Sequence, residues 1–130
     1  MGTAVIGFSH VNLLVTDLDA ARDFYGRKLG LAEIERPGDV GRGAWFQVGA
    51  LQLHLSLVDE MPAGAARANS HVALQLPADA FDEEVGAMVE RGLELTREPR
   101  SREQLGAVVR TAFCRDPSAN LIELTDVALG

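Results

Sequence analysis

Ser9-His10-Val11-Asn12-Leu13-Leu14-Val15 and Ser70-His71-Val72-Ala73-Leu74-Gln75-Leu76 are one strand written twice in the same chain. A second pair of segments repeats in the same order: Gln52-Leu53-His54-Leu55 reads against Leu121-Ile122-Glu123-Leu124. His10 therefore answers His71, and His54 answers Glu123. A duplicated unit with one candidate ligand at each of two equivalent positions can gather all four around a pseudo-twofold axis. These four residues are the candidate metal ligands.

Working outward, the alternation in the first strand sets Val11, Leu13 and Val15 on one face and His10, Asn12 and Leu14 on the other. Thr16 or Asp17 then caps a helix carrying Ala21, Phe24, Tyr25 and Leu29 along one stripe, and Gly30 ends it. The turn-rich run 36–43 leads to strands at about 44–48 and 51–57, joined at Gly49-Ala50. Residues 59–69, rich in small residues with Pro62 and Gly64, read as a connector. The second copy follows the same order: Val72, Leu74 and Leu76 inward, then a helix with Phe81, Val85, Met88 and Val89 as its stripe and Gly92 as its stop. Strands near 108–114 and 121–125 follow, joined by the turn Asp116-Pro117-Ser118-Ala119-Asn120. The expected organisation is a single domain over 1–130 with a first module at 5–58, a linker at 59–69 and a second module at 70–127. The basic segment 97–106 reads as a loop, solvated or able to cover a cavity and neutralise an anionic substrate.

Composition narrows the function classes. A chain of 130 residues, 47% hydrophobic and 24% charged, is the size and polarity of one folded domain. Its net charge of −7 repels nucleic-acid phosphates, and no Lys/Arg stripe interleaved with aromatics offsets that, so nucleic acid is excluded as a partner. No apolar run reaches the roughly 18 residues of a membrane span. The opening Met1-Gly2-Thr3-Ala4-Val5-Ile6 lacks the basic and apolar regions of a secretory signal, and Cys114 is the single cysteine, so a reducing, cytoplasmic location is expected. Cys114 itself reads as a small strand residue rather than a reactive thiol.

The chain has three histidines, and strand parity puts all three, with Glu123, on the face away from the apolar one. Neutral imidazoles and a carboxylate are donors for zinc, nickel, cobalt, iron or manganese, and such a set leaves room for water or substrate. One divalent ion per chain is expected.

The paired modules, the opening His10-Val11-Asn12-Leu13 with Asp17-Leu18-Asp19 at the helix start, Phe24-Tyr25 before Leu29-Gly30-Leu31, and the closing Asp116-Pro117-Ser118-Ala119-Asn120-Leu121-Ile122-Glu123-Leu124 resemble the vicinal oxygen chelate superfamily. That group includes glyoxalase I, methylmalonyl-CoA epimerase, extradiol dioxygenases, fosfomycin resistance thiol transferases and metal-free bleomycin-binding proteins. The resemblance spans essentially the whole chain. It implies an α+β fold of two tandem βαβββ modules, with a cupped mixed sheet around a metal-binding cavity. It also implies that His10, His71 and Glu123 match family ligands. His54 stands where glyoxalase I has Glu and the epimerases have Gln, which leaves one carboxylate in the set. The family turn Asp-Pro-Asp/Asn-Gly-Asn has Ala119 in place of its glycine.

The function implied by the resemblance is that of a metal-dependent lyase or isomerase. Its ion would chelate vicinal oxygens of a small substrate and stabilise an enolate-type intermediate, with Glu123 as the base. Asn12, Trp45, Phe46, Gln52, Gln75 and Arg110 are the candidate lining of the substrate pocket. The alternatives use related chemistry. His10, His71 and Glu123 alone match an iron(II) dioxygenase set, with His54 as an acid/base group. The same three would serve a thiol transferase acting on an epoxide. A metal-free, drug-sequestering dimer would instead use Trp45 and Phe46 to stack on a planar ligand. Family resemblance further implies a homodimer.

Overall fold

The computed structural model describes residues 2–38, 41–104 and 106–127. Asp39, Val40 and Leu105, which fall in the two expected loops, lie outside the described residues, as do Met1 and residues 128–130. Strand β1 (His10–Val15) runs into a helix whose first part, α1 (Leu18–Arg22), widens to a π-helical turn at Asp23–Lys28. The Asp17 side chain accepts from the Ala20 amide at 3.0 Å, capping the helix N-terminus as its composition suggests. Strands β2 (Ala32–Ile34), β3 (Gly43–Val48) and β4 (Leu51–Leu57) complete the first module. The second holds β5 (His71–Gln75), α2 (Phe81–Glu90), β6 (Arg100–Gln104), β7 (Ala107–Arg115) and β8 (Leu121–Thr125). The fold is α+β, with two βαβββ units of identical order.

Each unit makes its own four-stranded sheet, ordered β1-β4-β3-β2 and β5-β8-β7-β6. In both, the first strand pairs with the last in parallel and the others are antiparallel. The registers repeat as well: Asn12 lies opposite His54, and Ala73 lies opposite Glu123. His54 and Glu123 therefore occupy the same place in their sheets, each diagonal to the histidine that opens the module. Parity also behaves as the alternation requires, because Leu53, Leu55, Ile122 and Leu124 are buried in the core and Val11, Leu13, Val72 and Leu74 pack against it.

Two elements were not evident from the pattern. Strand β2 is a three-residue strand, too short for alternation to register. Segment 97–106 is not simply a loop: Arg100–Gln104 forms β6 and pairs antiparallel with β7, closing a hairpin through Gly106 at φ 78°. Its charge hid it, since a strand with one wet face keeps polar side chains. On α2, Phe81, Val85 and Met88 are buried as expected, whereas Val89 is exposed. Cys114 is fully buried, and burial, with the nearby Asp116 charge, pushes its thiol up to about 12, so it stays protonated.

The modules are joined through their helix ends and through the turn before β8. Arg27 donates to the Arg91 carbonyl at 2.7 Å, and Arg91 donates back to the Arg27 carbonyl at 2.8 Å, a reciprocal pair between equivalent helix ends. In the turn, Asp116 accepts from the amides of Ser118 and Asn120 and from the buried Tyr25 hydroxyl of the other module at 2.6 Å. Asn120 donates to the Leu14 carbonyl, and Ser118 accepts from the Thr16 amide. The turn is thus a latch that fixes β1, and with it His10, against the second module.

Ala119 sits in that turn at φ 74°, a left-handed conformation that costs a non-glycine residue about 1–2 kcal/mol. Ala119→Gly relieves this but frees the unfolded chain, so the expected net gain is about 0.5–1 kcal/mol. Thermal denaturation checks it: an unchanged or lower midpoint would show the latch holds the residue without strain.

Candidate metal centre

The inner face of the first sheet carries a stack of three rings from three adjacent strands. His10 lies on His54 with ring centroids 4.1 Å apart, and His54 lies on Trp45 at 3.8 Å and 1° from parallel. Register produces this: Trp45 is the direct partner of His54 on β3, and His10 is diagonal to it on β1. His54 is buried, with both ring faces covered and its Nε2 2.9 Å from the Gln52 amide oxygen, to which it donates. Burial, reinforced by His10 and Arg36, holds its pKa below the ordinary imidazole value, so the ring is neutral near pH 7. His10 is more exposed, with Nδ1 3.1 Å from the Ser9 hydroxyl.

The second sheet carries the other half. His71 Nε2 lies 3.1 Å from Glu123 Oε1, and His71 Nδ1 is 2.8 Å from the Asn69 carbonyl. A carbonyl only accepts, so Nδ1 carries a proton. Nε2 is then the ring atom turned toward the carboxylate. Two donors each about 2.0–2.2 Å from one ion, at right angles, are about 3 Å apart. The observed spacing fits that arrangement, and the Nδ1 bond to a backbone carbonyl orients the ring as metal-bound histidines commonly require. The donor chemistry of this half suits a divalent ion.

Among the described residues, no group of three or more His, Cys, Asp or Glu side chains within the chain is arranged to hold a metal. The expected four therefore divide into two pairs, His10 with His54 and His71 with Glu123.

Beside the second pair is a cavity of about 360 Å³ lined by His71, Ala73, Gln75, Arg102, Glu123, Thr125 and Val127. Gln75 is where parity placed it. Asn12 accepts from the Ser56 hydroxyl, and Gln52 accepts from His54. Two expected lining residues lie elsewhere. Phe46 is fully buried, 6.0 Å from the Tyr25 ring, because it alternates with Trp45 and so faces the helix. Arg110 also faces the helix layer, ion-paired with Asp82 of α2 at 2.7 Å. Sequence reasoning missed Arg102, whose place follows from its pairing with Val109 once Arg100–Gln104 is recognised as a strand.

Residues 7–124 match the model of the Glyoxalase/Bleomycin resistance protein/Dioxygenase superfamily. Solved structures agree with the fold. A glyoxalase/bleomycin resistance protein/dioxygenase from Alicyclobacillus acidocaldarius is 27% identical with a TM-score of 0.74, over 92% of this chain and 90% of that one. A glyoxalase/dioxygenase from Nostoc punctiforme is 25% identical with a TM-score of 0.76, over 94% and 91%. A variant of the fosfomycin resistance protein FosX from Listeria monocytogenes, complexed with Mn(II) and 1S,2S-dihydroxypropylphosphonic acid, is 22% identical with a TM-score of 0.75, over 96% and 95%. No curated protein matches the chain. No helix among the described residues is long and apolar enough to cross a membrane. With the family model covering nearly the whole chain and both sheets following one βαβββ order, this protein belongs to the glyoxalase/bleomycin resistance protein/dioxygenase superfamily.

Proposed function

We propose that the protein is a divalent-metal-dependent lyase or isomerase of the glyoxalase type, acting on a small substrate, and that each of its sites is assembled from two copies of the chain. The observation that carries this reading is the division of the donors into two pairs on two sheets, with the spacing of His71 and Glu123 suited to a shared cation. Two further features favour a homodimer. Strands β1 and β5 are sheet edges, each paired with one strand only among the described residues. Immediately before β1, Val5, Ile6 and Phe8 are 77%, 101% and 78% exposed, an apolar surface that a second copy would cover.

In this arrangement His10 of one copy meets His71 and Glu123 of the other, with one ion per chain. His54 joins as a fourth donor by releasing Gln52, and otherwise holds the His10 ring in place through their stacked contact. The ion supplies Lewis acidity toward two neighbouring oxygens of the substrate. Glu123 is the single carboxylate in the set, is 6% exposed, and keeps a second oxygen able to accept a proton from a carbon next to those oxygens. Gln75 lines the same cavity and offers hydrogen bonds that orient the substrate.

Subunit mixing tests this directly. His10→Ala and Glu123→Ala should each lose high-affinity Mn(II) binding, measured by calorimetry or paramagnetic resonance. Mixing the two restores it in heterodimers, because one of their two sites then draws every donor from intact halves. A site contained within one chain would stay damaged in every molecule, and restoration would fail. A monomer by light scattering, or a parent protein with no affinity for Mn(II), Zn(II), Ni(II), Co(II) or Fe(II), would overturn the reading.

A further inference from the structure

Between the Leu95–Cys114 bridge and the Arg100–Thr111 pair, four residues of one strand face two of β7, so residues 96–99 bulge away from it. Thr96 keeps a last bond to the Phe113 carbonyl at 2.8 Å, and Pro99 has no N–H to pair. Between this bulge and α2 lies a cavity of about 670 Å³. Its floor is apolar: Val85 and Leu93 are buried there, and Leu95 and the 45% exposed Val89 extend it. Gly86 contributes no side chain, and a Cβ placed on it would meet nothing within 4 Å, so the helix wall is open. The groove belongs to the helix side of the second sheet, because Val85 shares the core with Ile122 and Leu124 whereas Glu123 alternates to the opposite face.

Residues 79–98 hold seven carboxylates against Arg91 and Arg97, which places five of the chain's seven net negative charges on this one segment. Asp82, Glu83 and Glu84 lie in the first turn of α2, where the helix dipole favours acids, and Asp82 is paired with Arg110. Glu90, Glu94 and Glu98 have no such support. Glu90 ends the helix, where the dipole disfavours it, and Glu94 and Glu98 line the cavity without an ion-pair partner among the described residues. Arg97 is the single cation in the lining, and its guanidinium lies 5.9 Å from the centroid of the Phe113 ring. We propose that this groove docks a basic amphipathic helix of a partner protein, its apolar stripe on Val85, Val89, Leu93 and Leu95 and its Lys or Arg side chains at Glu94 and Glu98. The wall at 96–99 is a bulge rather than a straight strand edge, which disfavours strand addition and leaves recognition to side chains. The carboxylates select a cationic segment and repel the acidic surface of a second copy of this chain. No residue of the groove lies on the His71–Glu123 face, so the inference is independent of the metal reading.

The test titrates the full chain, at about 0.15 M salt, into a fluorescent peptide of roughly fourteen residues, followed by anisotropy. The peptide carries leucines at i, i+3, i+4 and i+7 and lysines on its other face. Expected is saturable binding of one peptide per chain, with no binding of a scrambled peptide of the same composition. Gly86→Leu, which fills the groove without altering charge, should weaken it by about tenfold or more. Glu94→Gln combined with Glu98→Gln should weaken it about three- to tenfold, and Arg97→Gln should tighten it. Glu83→Gln combined with Glu84→Gln removes the same charge from α2 outside the groove and should leave affinity within about twofold. Equal losses in the two double variants, or equal binding of the scrambled peptide, would reduce the effect to general attraction between an acidic protein and a polycation and overturn the site. Decylammonium bound in the groove as tightly as the peptide would make it a site for small cationic amphiphiles, and a changed sedimentation of Gly86→Leu alone would assign it to a second copy; either result overturns the partner helix.

Discussion

Glu123→Gln is expected to keep the fold and lose about 10²- to 10⁴-fold in turnover, beyond what reduced metal occupancy explains. The side chain is buried, so an isosteric amide preserves the packing around β8 and retains an oxygen donor. It removes the charge facing His71 and the basicity needed to take a proton from carbon. His54→Gln should be milder, within about 10- to 100-fold, because it disturbs the ring that holds His10 rather than the proton acceptor. Both variants are loaded to equal metal occupancy and compared for turnover and for incorporation of solvent deuterium at the substrate carbon. If Glu123→Gln exchanges deuterium as fast as the parent while His54→Gln is silent, the base is His54 and Glu123 is only a donor.

The second large effect is structural and opposite in sign at two glycines. At Gly43 a Cβ would overlap the backbone carbonyl oxygen of Leu55 on the neighbouring strand β4. Neither atom sits on a flexible side chain, so Gly43→Ala must push β3 away from β4, at an expected cost of about 3 kcal/mol and a midpoint lower by about 10 °C. Trp45 and His54 are paired two residues further along these same strands, so the ring stack should loosen and Trp45 fluorescence should report it below the melting range. Gly86, in the exposed interior of α2, has nothing within 4 Å of an added Cβ. Gly86→Ala is therefore expected to stabilise the protein by about 0.5–1 kcal/mol through helix propensity alone. Comparable midpoints for the two alanine variants would mean that the β3–β4 contact yields easily, and the steric argument would fail.

The sequence by itself determined the duplication, the α+β order of the modules, and the face on which His10, His54, His71 and Glu123 stand. All of this is local information. Period-two alternation sorts a strand's side chains between two faces whatever lies across from them, and helix stops such as Gly30 and Gly92 act within one turn. It also carried the family resemblance, through motifs that lie close together in the chain. What only the tertiary structure decided depends on partners distant in sequence. Phe46 and Arg110 looked like pocket residues because aromatic and cationic side chains suit a ligand, but one is committed to Tyr25 and the helix layer and the other to Asp82. Arg102 looked like part of a solvated loop until pairing with β7 gave its strand a face. The division of the donors into two pairs is likewise invisible to a repeat pattern. Repetition makes positions equivalent, whereas the docking of the sheets through the Asp116–Asn120 turn and the Arg27–Arg91 contacts sets which positions meet.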